Sequence, residues 1–463
     1  MSNILFLCPT HRDYREIEVL GLSRRHQIHF HDYASLLLEE LVAHEPPDEA
    51  ELADPREEIR RIVARYADAQ LHGVVSSDDY PGSSLAAVVA RRFGLPGVAP
   101  AVNLRCQHKY YSRLDQQRFV PTAVPAFQLC EEGYPPPRSL QYPVFVKPVK
   151  SFFSVGAYRV GSETELFRFR EQSNLGEAFF QPFATLLEEH AGLDLGTRVI
   201  VEDLLQGVQV TVEGYAHRGR IHIIGVVDSI MYPDTLSFRR FEYPSSLPVT
   251  VQERMAEIAR RMIGGIGFDH GLFNIEMMYN APSDSIHIIE INPRMASQFA
   301  DLYEKVDGTN TYEVLFDLAL GNTPAFRRGR GKYRFAASCV LRTFENAFVA
   351  RVPDAREIEQ LRLSYPDVRV EVLATPGRRL SQEMQDGSSY RYGVVSIGGR
   401  DRDDVLTTFE RCRSGLSFTL AGVEEQPDPS LLKAAGEETK RRTTGSAYSC
   451  RRLKGQPNFG AHR

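Results

Sequence analysis

The segment His287–Arg294 contains the residues best suited to chemistry. It reads His-Ile-Ile-Glu-Ile-Asn-Pro-Arg, an apolar stretch whose last residues supply a carboxylate, an amide and a guanidinium. A carboxylate and an amide oxygen are hard ligands of the kind that hold Mg²⁺ against phosphates. An arginine two residues further on can pair bidentately with a phosphoryl or carboxylate group. Glu290, Asn292 and Arg294 therefore indicate phosphoryl chemistry at the end of a strand.

A second acidic residue, Glu276, lies in another apolar stretch, Gly271–Met277. Period-two alternation puts Glu276 on the same face of this predicted strand as Asn274. If the strand pairs antiparallel with the one that contains Glu290, two carboxylates face one site. Unpaired acids in that position would repel each other, so a cation between them gives the arrangement a physical reason. The alternative is two acids on a solvent-exposed face.

One lysine ends an apolar strand in a similar way. Lys147 follows the stretch Tyr142–Val146 and precedes Pro148. Burial of the strand would direct the ammonium group into a cleft, and a compact charge on a flexible stem suits phosphate binding. The alternative is a surface lysine, which is the commoner outcome for a lysine at a strand end.

The elements that must position these residues predict more than one folded region. Short apolar runs at Ile4–Cys8 and His72–Ser76 are typical of buried parallel strands, and a helix over 83–93 follows the second, so residues 1–100 predict an α/β domain. A helix around 103–118 comes next, and from residue 141 strands predominate. The predicted strands are 142–147, 157–160, 198–202, 208–216, 220–227, 272–279 and 285–291.

The remaining segments complete this division of the chain. A helix over 250–263 interrupts the strands and ends at Gly264, which gives an α+β pattern over 101–325. The turn Asn322–Pro324 separates this domain from a smaller α+β lobe over 326–423. Residues 424–463 are basic and contain few apolar side chains, so they predict a flexible tail.

Composition limits the classes of function. With 463 residues, 42% of them hydrophobic, the chain can form a large buried core, and a net charge of −5 argues against a surface made for nucleic acid. Its six cysteines show no CxxC pair, which is typical of reduced thiols. The first residues lack the pattern of a signal peptide, and no apolar run reaches the eighteen or so residues of a membrane span. We therefore expect a cytoplasmic protein that binds neither membranes nor nucleic acid.

Taken in order, these motifs resemble the ATP-grasp superfamily, and within it the carboxylate-amine ligases of the amino-acid-ligase and biotin-carboxylase-like type. The resemblance rests on the sequence of Lys109, Lys147, the strand end Val201–Leu205, Glu276 and the Glu290-to-Arg294 motif. It spans most of the chain before the tail. It implies an α/β N-terminal domain, an α+β ATP-grasp fold whose two lobes clasp ATP, and a small C-terminal α+β lobe.

The resemblance also implies roles for individual residues. Glu276, Glu290 and Asn292 would hold Mg²⁺ or Mn²⁺, and Arg294 would be the catalytic residue that stabilises developing charge. Lys109 would bind the ATP phosphates, and Lys147 would bind the ATP phosphates or adenine. The segment 149–156 corresponds to a flap that is usually rich in glycine, and here it offers Ser151, Ser154 and Gly156 as phosphate contacts.

Further residues would complete the nucleotide and substrate sites. The backbone of Asp203 and Leu205 would pair with adenine beside Glu202, and Gln209 stands where relatives commonly carry a glutamate that binds the ribose. Arg239 and Arg240 could hold a substrate carboxylate, and His270 could act near the substrate. The alternatives are a surface arginine pair and a structural histidine.

The implied reaction is ATP- and Mg²⁺-dependent ligation of a carboxylate to an amine through an acylphosphate, with an amino acid as one substrate. ADP and phosphate would be released. The alternatives are a biotin-carboxylase-like enzyme that uses bicarbonate, a non-catalytic nucleotide-binding module, and an assembly protein that acts through its basic tail. The resemblance leaves room for a homodimer, and no part of the sequence identifies an interface.

Overall fold

A computed structural model describes residues 1–33, 54–130, 141–151, 155–166, 177–196, 198–383 and 389–422. Ser154 and the expected basic tail lie outside these ranges. The helices of the described residues are α1 His11–Val19, α2 Leu22–Arg25, α3 Pro55–Arg65, α4 Ser84–Arg92, α5 Pro100–Gln107, α6 Lys109–Phe119, α7 Glu177–Ala191, α8 Val249–Gly265, α9 Ala300–Asp307, α10 Thr311–Ala319, α11 Ala355–Ser364 and α12 Arg402–Ser414.

The strands are numbered in the same way. They are β1 Ser2–Leu7, β2 His26–His31, β3 Gly73–Val75, β4 Phe127–Leu129, β5 Val144–Pro148, β6 Tyr158–Val160, β7 Val199–Asp203, β8 Val208–His217, β9 Arg220–Met231, β10 Phe238–Tyr243, β11 Gly271–Asn280, β12 Ser285–Asn292, β13 Phe335–Thr343, β14 Phe348–Arg351, β15 Arg369–Val372, β16 Tyr390–Gly399 and β17 Thr419–Ala421. They form four sheets.

The N-terminal region is an α/β domain, as the sequence predicts. Strand β1 lies between β2 and β3 and is parallel to both. Its residues from Ile4 to Leu7 are buried because helices cover both faces of the sheet. Loops that follow the carboxyl ends of parallel strands commonly form binding sites, and here the turn Asp79–Ser83 follows β3.

An eight-stranded antiparallel sheet dominates the rest of the molecule. Its strand order is β12-β11-β8-β9-β10-β13-β16-β15. Helix α8 packs on one face of β8, β11 and β12 through apolar residues such as Met255 and Ile275. Strand β13 pairs with β10, so the region after residue 326 continues this sheet. Helices α11 and α12 pack their apolar side chains against β13, β15 and β16.

A smaller sheet is formed by strands between residues 127 and 203. Its order is β4-β7-β5-β6, and all of its pairs are antiparallel. The remaining pair, β14 with β17, lies in the C-terminal region. The two antiparallel sheets confirm the predicted α+β architecture.

The helix predicted around 103–118 is wrong as a single element. The chain breaks at His108, whose backbone is extended (φ −89°, ψ 105°), and two helices result. The His108 imidazole accepts a hydrogen bond from the backbone N–H of Tyr111, which caps α6. Lys109 is therefore the first residue of a helix and not a residue in its middle.

Candidate functional site

The polar face of β8, β11 and β12 holds the predicted acidic pair. Glu276 on β11 lies directly opposite Glu290 on β12, and Asn274 lies opposite Asn292 one step along the same face. The other face carries the apolar residues that pack against α8. Alternation in β8 adds Gln209, Thr211 and Glu213 to the polar face, because Thr211 pairs with Glu276 and Glu213 with Asn274.

The two facing carboxylates suit a divalent cation. Burial and the neighbouring charge of Glu290 raise the pKa of Glu276 well above its ordinary value. A cation between the two groups would remove this penalty. The amide of Asn292 donates to Asn274 Oδ1 at 3.3 Å, which leaves its own oxygen as an acceptor. Over the described ranges no group of three or more His, Cys, Asp or Glu side chains could by itself hold a metal ion, so the oxygen ligands offered here are two carboxylates and one amide.

A β-bulge in β12 lies directly beside Glu290. Glu276 pairs with Glu290 but Met277 pairs with Ile288, so Ile289 has no opposite residue on β11. The carbonyl oxygens of Ile288 and Ile289 accept hydrogen bonds from the Arg113 guanidinium at 2.9 Å each. Lys147 Nζ lies 3.4 Å from the Ile289 oxygen. The bulge therefore joins β12 to two cations from other elements.

A buried ion cluster holds those cations in place. Both carboxyl oxygens of Glu202 accept from Arg113, at 2.7 and 3.0 Å, and one also pairs with Lys147 Nζ at 2.9 Å. Burial lowers the pKa of Lys147, and the Glu202 charge opposes that shift. Glu202 therefore positions Lys147 and Arg113. The structure directs both of its oxygens to these cations, whereas the sequence reasoning expected Glu202 beside adenine.

The other predicted nucleotide residues lie at the edges of the same cleft. Lys109 Nζ bridges Glu290 Oε1 and the Ser151 carbonyl oxygen, at 3.0 Å each. The Ser151 hydroxyl donates to the Val155 carbonyl at 2.6 Å, just before Gly156, which has a positive φ of 70°. Gln209 donates to Glu276 Oε2 at 2.9 Å. The structure thus brings Lys109, Gln209 and both acids into one cluster.

The expected adenine hinge follows strand β7. Asp203 ends that strand, and its backbone N–H already donates to the Ala126 carbonyl at 3.0 Å. Leu205 lies in the loop between β7 and β8, half-buried. The predicted pairing groups are the Asp203 carbonyl and the Leu205 N–H, and both remain candidates for adenine pairing.

Arg294 is held by a residue that the sequence reasoning missed. Its Nη2 lies 3.0 Å from Asp79 Oδ2, and Lys150 Nζ lies 3.5 Å from Asp79 Oδ1. In the sequence Asp79 stands in Asp78–Gly82, a segment typical of a turn. Lys150 follows Lys147 by three residues, at the start of the flap segment 149–156.

Glu213 was also missed. It is completely buried, and its Oε1 accepts from the backbone N–H of Ala296 at 2.8 Å. Burial raises its pKa to about 8. Glu213 therefore fixes the turn that carries Arg294. Its period-two relation to Gln209 was the available signal.

The residues predicted for substrate binding do not join this cluster. Arg240 pairs with Glu242 at 2.5 Å, and Glu242 also pairs with Arg402 of α12, so both face away from the site. The Arg239 guanidinium lies 5.9 Å from the centre of the Tyr232 ring. His270 precedes β11, about 20 Å from Glu276 at ~3.4 Å per residue, and its ring contacts that of His217.

A second polar area lies on the same face of the large sheet. Ser338, Ser396 and Arg369 form a row across β13, β16 and β15. A narrow cleft borders this row, lined by α1 residues such as Arg12 and by Ser297 and Gln298 of the turn after Arg294. Arg12 donates to Ser297 Oγ at 2.9 Å and pairs with Glu371 at 2.8 Å.

Comparison with known proteins gives a family match over part of the chain. Residues 140–301 match the family model described as the ATP-grasp domain. This segment is an ATP-grasp domain. It contains β5, the β7 hinge, β8 to β12 and Arg294, so the cluster described above lies mainly within it. A search of curated proteins gives no match.

Solved structures share the fold over most of the chain. An L-amino acid ligase from Bacillus licheniformis has 14% identity and a TM-score of 0.65, covering 90% of this chain and 98% of its own. A carboxyaminoimidazole ribonucleotide synthase from Aspergillus clavatus, complexed with ATP, has 13% identity and a TM-score of 0.64, with 89% and 98% covered.

A third similar structure is the biotin carboxylase domain of the Hydrogenobacter thermophilus 2-oxoglutarate carboxylase, in complex with MgADP, ADP and bicarbonate. It has 14% identity and a TM-score of 0.59, covering 94% of this chain and 93% of its own. At these identities the likeness establishes the ATP-grasp fold. In the described part of the chain no helix has the length and apolar character needed to cross a bilayer.

Proposed function

We propose that the protein is an ATP- and Mg²⁺-dependent ligase that joins a carboxylate to an amine, with an amino acid as one substrate. The observation that carries this proposal is the pairing of Glu276 with Glu290, next to Asn292, on the polar face of the ATP-grasp domain. These oxygens would hold Mg²⁺, or Mn²⁺ in its place, which would neutralise phosphate charge.

Lysine and arginine side chains of the site would have separate roles in this reaction. Lys109 and Lys147 would bind the ATP phosphates from the two sides of the cleft. The substrate carboxylate oxygen would attack the γ-phosphorus, ADP would leave, and an acylphosphate would form. The amine would then attack the acyl carbon, lose a proton and displace phosphate. Arg294 would stabilise the charge that develops on the phosphoryl group and on the tetrahedral oxyanion.

The comparisons support this reaction class. One similar structure is an amino acid ligase, and others hold ATP or MgADP. The biotin carboxylase domain, which holds bicarbonate, supports a second candidate in which bicarbonate is the acid that attacks ATP.

A screen for ADP release tests both candidates. Purified protein with MgATP is incubated with pairs of amino acids and small carboxylates, with each amino acid alone, and with bicarbonate plus biotin. We expect ADP release that depends on one acid and one amine, with a condensed product whose mass equals the sum of both minus water. ADP release with bicarbonate and biotin would favour the second candidate. MgATP binding without ADP release under any condition would overturn both and leave a nucleotide-binding module.

A further inference from the structure

The turn after β3 delivers a carboxylate from the N-terminal domain to the ATP-grasp cleft. Asp78 accepts the Gly82 N–H at 2.8 Å, which shapes the turn, and Asp79 then lies between Arg294 and Lys150. The Asp79 side chain is 19% exposed. Each of its oxygens pairs with a different cation, so one carboxylate fixes two positive groups of the neighbouring domain.

Lys150 lies in a nearly closed environment. Its side chain is 3% exposed, and its Nζ donates to Gln107 Oε1 at 2.8 Å. The rings of Tyr80 and Phe183 lie 5.1 and 5.5 Å from the ammonium group, which is within range of a cation–π contact. A buried ammonium group requires a nearby anion to remain charged. Asp79 provides that anion.

The electrostatics of the pair depend on both partners. Burial lowers the pKa of Lys150, and the Asp79 charge opposes that shift. Lys109 adds to the lowering, and Glu290 opposes it. Burial disfavours the charged form of Asp79, yet Lys150 and Arg294 hold the pKa of Asp79 well below its ordinary value. Asp79 is therefore a permanent anion in this cluster.

We propose that Asp79 is a positioning residue of the ligase: it keeps Lys150 charged and orients Arg294 toward the phosphoryl group. This inference rests on the proposed function. Because Asp79 belongs to the N-terminal domain, the orientation of Arg294 is fixed only when the turn after β3 is docked against the ATP-grasp domain.

The test compares Asp79→Asn and Asp79→Glu with a matched control, Asp115→Asn. Asp115 forms a comparably buried pair with Arg105, with 14% of its side chain exposed, and lies outside the cluster. With the best pair from the screen, Asp79→Asn should lower kcat by roughly 10- to 100-fold, the loss expected for one charge-assisted hydrogen bond. The KM for MgATP should change by less than about threefold, since the phosphate-binding lysines Lys109 and Lys147 remain.

A pH profile separates positioning from a purely structural contact. Without Asp79 the ammonium of Lys150 loses its proton at lower pH, so the alkaline limb of kcat should move to lower pH. In the double variant Asp79→Asn with Lys150→Arg, the fall of kcat at alkaline pH should disappear, because a guanidinium does not lose its proton in the pH range of the assay. Asp79→Glu should restore part of kcat, and Asp115→Asn should leave kcat and its pH profile unchanged.

A measurement without turnover completes the experiment. In lysine-selective ¹³C NMR of the full chain, Lys150 should titrate at lower pH in Asp79→Asn than in the wild-type protein. An unchanged Lys150 titration together with an unchanged alkaline limb would overturn the positioning role while leaving the ligase proposal intact. If the wild-type protein releases no ADP with any pair, the ligase proposal fails, and the NMR shift still reports whether Asp79 keeps Lys150 charged.

Discussion

The two ends of the eight-stranded sheet present opposite electrostatic patterns on the same face. At β11 and β12 two acids face each other, Glu276 and Glu290, and the protein relieves the repulsion only in part through Lys109. At β15 the charged residues are matched: Arg369 pairs with Glu16, Asp301 and Glu304, and Glu371 pairs with Arg12. The two facing acids indicate a site for a positively charged ligand. The ion pairs at β15, in contrast, stabilise the contact between domains.

The largest effect should come from Glu290→Gln. The change keeps the shape of the side chain and removes one of the two charges that would hold the metal, so ADP release should fall by at least about 100-fold. Folding should be retained because the facing acids repel each other in the free protein. ADP release measures the effect, and circular dichroism and MgATP binding serve as controls. Turnover at the wild-type rate would contradict the assignment of Glu290 as a metal ligand.

Glu213→Gln should change how stability depends on pH. The folded-state pKa of Glu213 is about 8, raised by burial from an ordinary value of 4.5. The protonated form therefore favours the folded state, and this contribution is lost as pH rises from about 4.5 to about 8. Glutamine stays neutral, so the variant should unfold at a higher temperature than wild type near pH 9, with a smaller difference near pH 5. Parallel melting curves at all pH values would contradict the buried, protonated state.

The smallest effect is expected at the matched end of the sheet. Glu371→Gln leaves Arg12 without its ion-pair partner and should lower the free energy of unfolding by about 1–2 kcal/mol. ADP release should stay within about threefold of wild type, since Glu371 does not contact the acidic pair. Denaturant unfolding and the ADP assay measure the two quantities. A loss of activity as large as that of Glu290→Gln would show that both ends of the sheet take part in the reaction.

The sequence predicted the acidic end of the sheet far better than the matched end. Alternation in Gly271–Met277 placed Glu276 on one face with Asn274, and antiparallel pairing with the next strand in the chain brings Glu290 opposite Glu276. The β5 strand that ends near Lys147 and helix α8 were likewise readable from periodicity. The ATP-grasp fold followed from the order of these motifs.

The contacts that the sequence did not predict were missed for one physical reason: the partners are far apart along the chain. Asp79 meets Arg294 across 215 positions of sequence, and Arg12 meets Glu371 across 359. Local patterns carry no information about such pairs, and an acid in a turn looks like ordinary turn chemistry. The prediction that Arg240 binds the substrate did not take the alternation in β10 into account. That alternation places Arg240 on the face of the sheet that meets α12. The break at His108 depends on a side-chain cap, which periodicity does not reveal.

The bulge at Ile289 divides β12 into two parts with different registers. Before the bulge, Ile286 and Ile288 face α8, and after it Ile291 does so, because the extra residue Ile289 shifts the strand by one step. In the first half of β12 the even-numbered residues face the apolar core. After the extra residue the odd-numbered residue Ile291 does so. Loss of Ile289 would restore regular alternation along β12 but remove the carbonyl that Arg113 and Lys147 share. The extra peptide unit thus connects Arg113 of α6 and Lys147 of the smaller sheet to the strand that carries Glu290.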